Sequence, residues 1–198
     1  MNPDRFQRVH VLNKDELWDW LEQNHQQSES VWLVTFKKIE PDKYLSRDEV
    51  LDALIAYGWI DGVRSQVDEL RTMQLISPRK TRPWAKSYKL RAHRLMSLGL
   101  MKPSGQAEVD LAIQNGGWDE MNEVDELVIP EDLELALKNL GQALEYFQGF
   151  PESIRRNILR WIASAKTDAT RGKRIDIVAS EANFNRRANS HRDRKSVV

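Results

Sequence analysis

The sequence predicts an α+β fold: a small antiparallel sheet with packed helices, followed by an all-helical C-terminal domain. Three observations predict it. Segments with strand character all lie before Pro78, segments with helical spacing and capping residues dominate after it, and Gly116-Gly117 with an acidic run behind it marks off the C-terminal helices. The reading divides the chain into an α+β domain over 1–117, an acidic linker over 118–129, a helical domain over 130–184 and a tail over 185–198.

Asn13 is placed to cap a helix from Lys14 to Gln26, with Glu16 three residues on and Leu17, Trp18 and Leu21 forming an apolar stripe. Val31 to Phe36 is apolar on both alternating faces, which suits a strand covered on both sides. Ser46-Arg47-Asp48-Glu49 is a capping box for a helix carrying Val50, Leu51, Leu54, Ile55 and Tyr57, stopped by Gly58. Beyond the Gly58-Trp59-Ile60-Asp61-Gly62 turn, Val63, Ser65 and Val67 alternate with polar residues as a strand does, and a second strand near 72–77 completes a hairpin. Pro78 to Pro83 reads as a basic loop, and Trp84 to Leu98 as a helix with Trp84, Tyr88, Ala92 and Leu95 on one face. Pro103, Pro130, Pro151 and Thr167 mark four further helix starts. After Phe184 the tail has too little apolar surface to fold.

With 198 residues, 40% of them hydrophobic, the chain is long enough for a real core. It contains no cysteine, which excludes disulfides and thiolate chemistry and fits a reducing, cytoplasmic setting. No apolar run approaches the roughly 18 residues of a membrane helix. The 30 basic and 30 acidic residues cancel in total but are sorted along the chain. Residues 1–70 hold 8 basic and 14 acidic side chains, 71–107 hold nine basic and none acidic, and 108–137 hold ten acidic and none basic. Either the basic stretch pairs with acidic partners in the fold, or part of it is left for a ligand.

Standard catalytic signatures are missing. The four histidines are far apart, so no metal is expected, and the glycine patterns that cradle cofactor phosphates are absent, so no cofactor is expected. Asp61 is the one acid in an unusual setting, between Trp59, Ile60 and two glycines, where desolvation would suit acid or base work. Asp-Gly is equally ordinary turn chemistry. Trp59 and Trp84 suit either a ligand wall or the core, and Arg64, Arg79 and Arg82 supply guanidinium groups for an anion. These six residues form the candidate ligand site. Nucleic acid is a less favoured partner, since no nucleic-acid fold signature accompanies the basic runs.

Two blocks of residues carry a family resemblance. The first comprises Val31-Trp32-Leu33, Lys37-Lys38, Tyr57 to Gly62, Ser77-Pro78-Arg79, Trp84, Arg94-Leu95, Pro103 and Gly105. The second comprises Phe150, Arg155, Leu159, Trp161-Ile162, Ala165-Lys166, Thr170-Arg171 and Lys173-Arg174-Ile175. Over about residues 6–178 the chain resembles the YdeI/OmpD-associated, or bacteriocin-protection, family, departing from its pattern at Ile76, at Tyr88 and in a basic loop before Trp84 shorter than the family's. The resemblance implies a cytoplasmic bacterial protein tied to envelope stress or bacteriocin tolerance, and it supplies no reaction. Three functional readings stay open: a binding protein with an Arg/Trp anion site, an enzyme using Asp61 as general acid or base, and a protein-interaction module acting through the C-terminal helices.

Overall fold

A computed structural model describes residues 5–80 and 83–189. It divides into two compact units, 1–120 and 121–198, each with its own hydrophobic core. The architecture is α+β, as the strand and helix patterns require.

In the first unit, β1 (Arg8–His10), β2 (Val31–Phe36), β3 (Trp59–Gln66) and β4 (Arg71–Pro78) form a sheet in the order β1-β2-β4-β3. β3 and β4 are the expected antiparallel hairpin, and β4 also runs antiparallel to β2. The sheet departs from purely antiparallel at one edge, where β1 pairs parallel to β2. The cause is the connection: α1 (Lys14–Asn24) lies between the two strands, and a helical crossover returns the chain in the same direction. Asn13 caps α1 as its position predicts, accepting from the Glu16 amide at 2.9 Å.

α2 (Arg47–Ala56) starts at the complete Ser46/Glu49 capping box and ends before Gly58, whose φ is +76°. Leu17 and Leu21 of α1, Leu54 and Ile55 of α2, Leu33 of β2 and Ile76 of β4 are all at most 1% exposed and form the centre of the core. Burial of each such side chain is worth about 1.5–3 kcal/mol. α3 (Lys86–Ser97) begins two residues later than the sequence predicts, leaving Trp84 ahead of the helix. α4 (Pro103–Gln114) lies against the end of α2 through Gly105, where a Cβ would stand 2.2 Å from the Ala56 carbonyl oxygen.

The second unit is helical: α5 (Asn122–Asp125), α6 (Glu131–Lys138), α7 (Ala143–Gly149), α8 (Glu152–Ala163) and α9 (Asp168–Asn183). α5 falls within the stretch expected to be linker. The segment from Pro130 to Phe150 is broken into α6 and α7 around Gly141, whose φ of +43° no continuous helix accommodates. Leu133, Leu137, Phe147 and Ile162 are fully buried at its centre. Of the tail, Ala188 is 5% exposed and joins that cluster, while 190–198 lie outside the described residues.

Candidate functional site

The candidate residues fall on β3, which carries Trp59, Asp61 and Arg64, and on the segment between β4 and α3, which carries Arg79, Arg82 and Trp84. Trp59 opens β3 but points into the core: it is 1% exposed, its indole N–H donates to the His25 carbonyl at 3.0 Å, and Trp20 meets it edge-on at 5.6 Å. Trp84 is also 1% exposed, tilted against Trp118 with ring centroids 5.1 Å apart. Neither indole faces solvent, so neither serves as a wall of an open site. Two large apolar rings beside one sheet gain more from burial than from hydration.

Arg79 follows Trp84 inward. Its guanidinium carbon lies 3.9 Å from the Trp84 ring centroid and 5.7 Å from that of Tyr88, its backbone N–H donates to the Gly58 carbonyl at 2.8 Å, and Nη2 donates to the Pro83 carbonyl at 3.1 Å. At 6% exposure it is a buried cation held by an aromatic face. Glu108 of α4 lies within its field: burial pushes the Glu108 carboxyl up from its ordinary range, and the positive charge of Arg79 partly opposes that. Arg82 lies outside the described residues.

Asp61 and Arg64 are brought together by an irregularity in β3. Residues three apart on a regular strand face opposite sides. Here the register slips between them, so that Asp61 pairs with Ile76 and Arg64 with Gln74, two residues apart on β4 and therefore on one face. A bonded network results. Arg64 Nη2 donates to Gln74 Oε1 at 2.9 Å, Gln74 Nε2 donates to Asp61 Oδ2 at 3.0 Å, and the Tyr88 hydroxyl donates to Asp61 Oδ1. Arg47, at the first position of α2, approaches Asp61 Oδ2 to 4.0 Å with 67% of its side chain exposed, against 11% for Asp61.

Burial first, and then the Asp61 carboxylate, hold the Tyr88 phenol protonated far above its usual range; Arg47 and Arg79 pull the other way. Each Asp61 oxygen thus accepts from a neutral donor. Chemically, this is a carboxylate that orders an amide and a phenol, with exposed guanidinium groups at its rim.

Arg47, Gln74 and Tyr88 complete the network and lie outside the six candidates that the sequence offers. Tyr88 was legible as helix face, and the Ser46 capping box fixed the start of α2, but nothing in the spacing places either beside Asp61.

Four cations of the basic stretch pair with carboxylates that precede it in sequence rather than with the acidic run that follows it. Arg71 bonds Asp68, Arg91 bonds Asp48 and Asp52, Arg94 bonds Asp52, and Lys102 bonds Glu22, all carboxylates from the acidic first 70 residues. Lys89 reaches Asp119 of the downstream acidic run at 3.9 Å. The α2–α3 contact is therefore the main place where the charge sorting is cancelled. Among the described residues, no group of three or more His, Asp or Glu side chains is placed to hold a metal ion, and no helix is long and apolar enough to cross a membrane.

An α+β unit with a polar network at its β-bulge, followed by a helical unit, is the class these elements define. Residues 9–108, half of the 198, match the model of a domain of unknown function, DUF8412, and the chain belongs to that family. Residues 126–185 match the model described as bacteriocin-protection, YdeI or OmpD-associated, which supports the resemblance carried by the C-terminal block. The N-terminal block falls within the first match. No curated protein and no solved structure matches the chain.

Proposed function

We propose that the first unit is a non-catalytic binding domain for a small anion or acidic group, taken up at the rim formed by Arg47 and Arg64. The observation that supports this is the pair of exposed guanidinium groups beside Asp61. Its oxygens accept from Tyr88 and Gln74, Arg47 stands 4.0 Å from Oδ2 and Arg64 gives one N–H to Gln74, so both guanidinium groups keep donors for an outside acceptor. Arg79, buried beside Tyr88 at 6% exposure, adds positive potential. Trp59 and Trp84 brace the site from inside the core. In this reading Asp61 positions donors and has no role as general acid or base. The C-terminal family description, bacteriocin-protection, YdeI or OmpD-associated, supports a bacteriocin-tolerance setting; a link to envelope stress and a cytoplasmic place of action belong to the same proposal.

Titration with inorganic phosphate, followed by backbone amide shifts and calorimetry, tests it. Each exposed guanidinium contact is worth about 1 kcal/mol, so Arg47→Ala with Arg64→Ala weakens binding by about 10–30-fold, and raised salt weakens the wild type. Asp61→Asn, if folded, binds phosphate at least as tightly as wild type. Shifts that leave residues around Arg47 and Arg64 unmoved, or a double variant that binds unchanged, refute it.

A further inference from the structure

The second unit carries a surface that the anion site does not use. α6 and α9 enclose an open groove of about 760 Å³. Its floor is apolar: Ile175 is 6% exposed, whereas Leu135 is 60% exposed and Leu140 39%. Its rim is acidic. Asp132, Asp168 and Asp176 line it against one cation, Arg171, which is already held by Asp132 through Nε at 2.6 Å and Nη2 at 2.9 Å.

A further feature is Gly172, on the groove face of α9 and inside the helix. A Cβ there would meet nothing within 4 Å, so the chain's own packing gives no reason for glycine. An interior helical glycine costs about 0.8–1 kcal/mol relative to alanine. A backbone left bare beside an apolar floor is what close approach of another helix uses.

We propose that the α6–α9 groove docks a basic amphipathic helix of a partner protein, its apolar side on Leu135, Leu140 and Ile175, its lysines or arginines against Asp168 and Asp176, and its backbone closest at Gly172. The charge of the rim selects the occupant. An acidic helix would place carboxylates against Asp168 and Asp176, which the Asp132–Arg171 pair cannot offset.

The full chain is titrated with two fluorescent 18-residue helical peptides of identical leucine spacing, one with lysine and one with glutamate at the polar positions. The lysine peptide binds, at least 10-fold tighter than the glutamate peptide, and more weakly as salt rises. Leu135→Asp and Gly172→Leu each lower its affinity at least 10-fold, and Asp168→Lys with Asp176→Lys reverses the preference between the peptides. Circular dichroism confirms the fold of each variant, and Arg47→Ala, in the other unit, leaves peptide binding unchanged. The proposal is overturned if the lysine peptide fails to bind, if both peptides bind alike, or if binding survives Leu135→Asp and Gly172→Leu in folded protein.

Discussion

Gly105→Ala adds one methyl group and tests how α4 is held on α2. The added Cβ would lie 2.2 Å from the Ala56 carbonyl oxygen and 2.6 Å from that of Ile55, both backbone atoms that no rotamer change can move aside. Ordinary contact at such a pair is about 3.4 Å, so α4 must retreat by about 1 Å, a shift of the kind that costs an overpacked site about 1–3 kcal/mol. The retreat also strains the Lys102 N–H to Ala56 carbonyl bond, now 3.0 Å, worth about 1 kcal/mol. Against this stands a helix-propensity gain of up to about 1 kcal/mol. The net loss is about 2 kcal/mol, which for a unit of this size lowers its melting temperature by about 6–10 °C.

The displacement reaches the candidate site, because Ser104 and Glu108 of α4 abut Gly58, whose carbonyl accepts from Arg79. Differential scanning calorimetry of the full chain, with Gly172→Ala as the opposite case, reads the outcome. Gly105→Ala lowers a transition of the first unit and leaves the second in place, while Gly172→Ala raises the second. A Gly105→Ala protein that melts within about 1 °C of wild type would refute the close-packing argument.

Two further perturbations address charge. Burial raises the folded-state pKa of Glu108 above its unfolded value, so its contribution to stability is fully present below the unfolded carboxyl range and is lost as pH rises through the folded pKa. Glu108→Gln is therefore more stable than wild type at neutral pH, with the gap closing in acid; urea melts at several pH values check it, and a gap that is constant or widens toward acid contradicts the assignment. Asp52 accepts from both Arg91 and Arg94, with its side chain 21% exposed and that of Arg91 18%. Asp52→Asn leaves a half-buried guanidinium short of its partner and destabilises the first unit by about 1–3 kcal/mol, less than for a fully buried pair. A change under about 0.5 kcal/mol in the denaturation midpoint would show that solvent replaces the carboxylate.

Local chemistry was legible wherever neighbours in sequence are neighbours in space. The Asn13 and Ser46 caps, the stop at Gly58 and the β3–β4 hairpin follow from residues within four or five positions of each other, because caps and turns are bonded locally. The parallel edge at β1 was not, since three residues carry too little pattern to announce a strand. The break at Gly141 was also missed: helix-forming residues stand on both sides of it.

Residue type and spacing carry the α+β class, the composition of the cores and the sorting of charge into blocks. Which blocks cancel is settled by the folded chain, which sends Arg91, Arg94 and Lys102 back to carboxylates about 40 to 80 residues earlier. It likewise turned Trp59 and Trp84 inward, and through one slip in β3 set Asp61 and Arg64 on a common face with Gln74. The physical reason is the same in each case. Side-chain type and spacing fix what a segment prefers, whereas ion pairing and burial depend on distances that only chain closure sets.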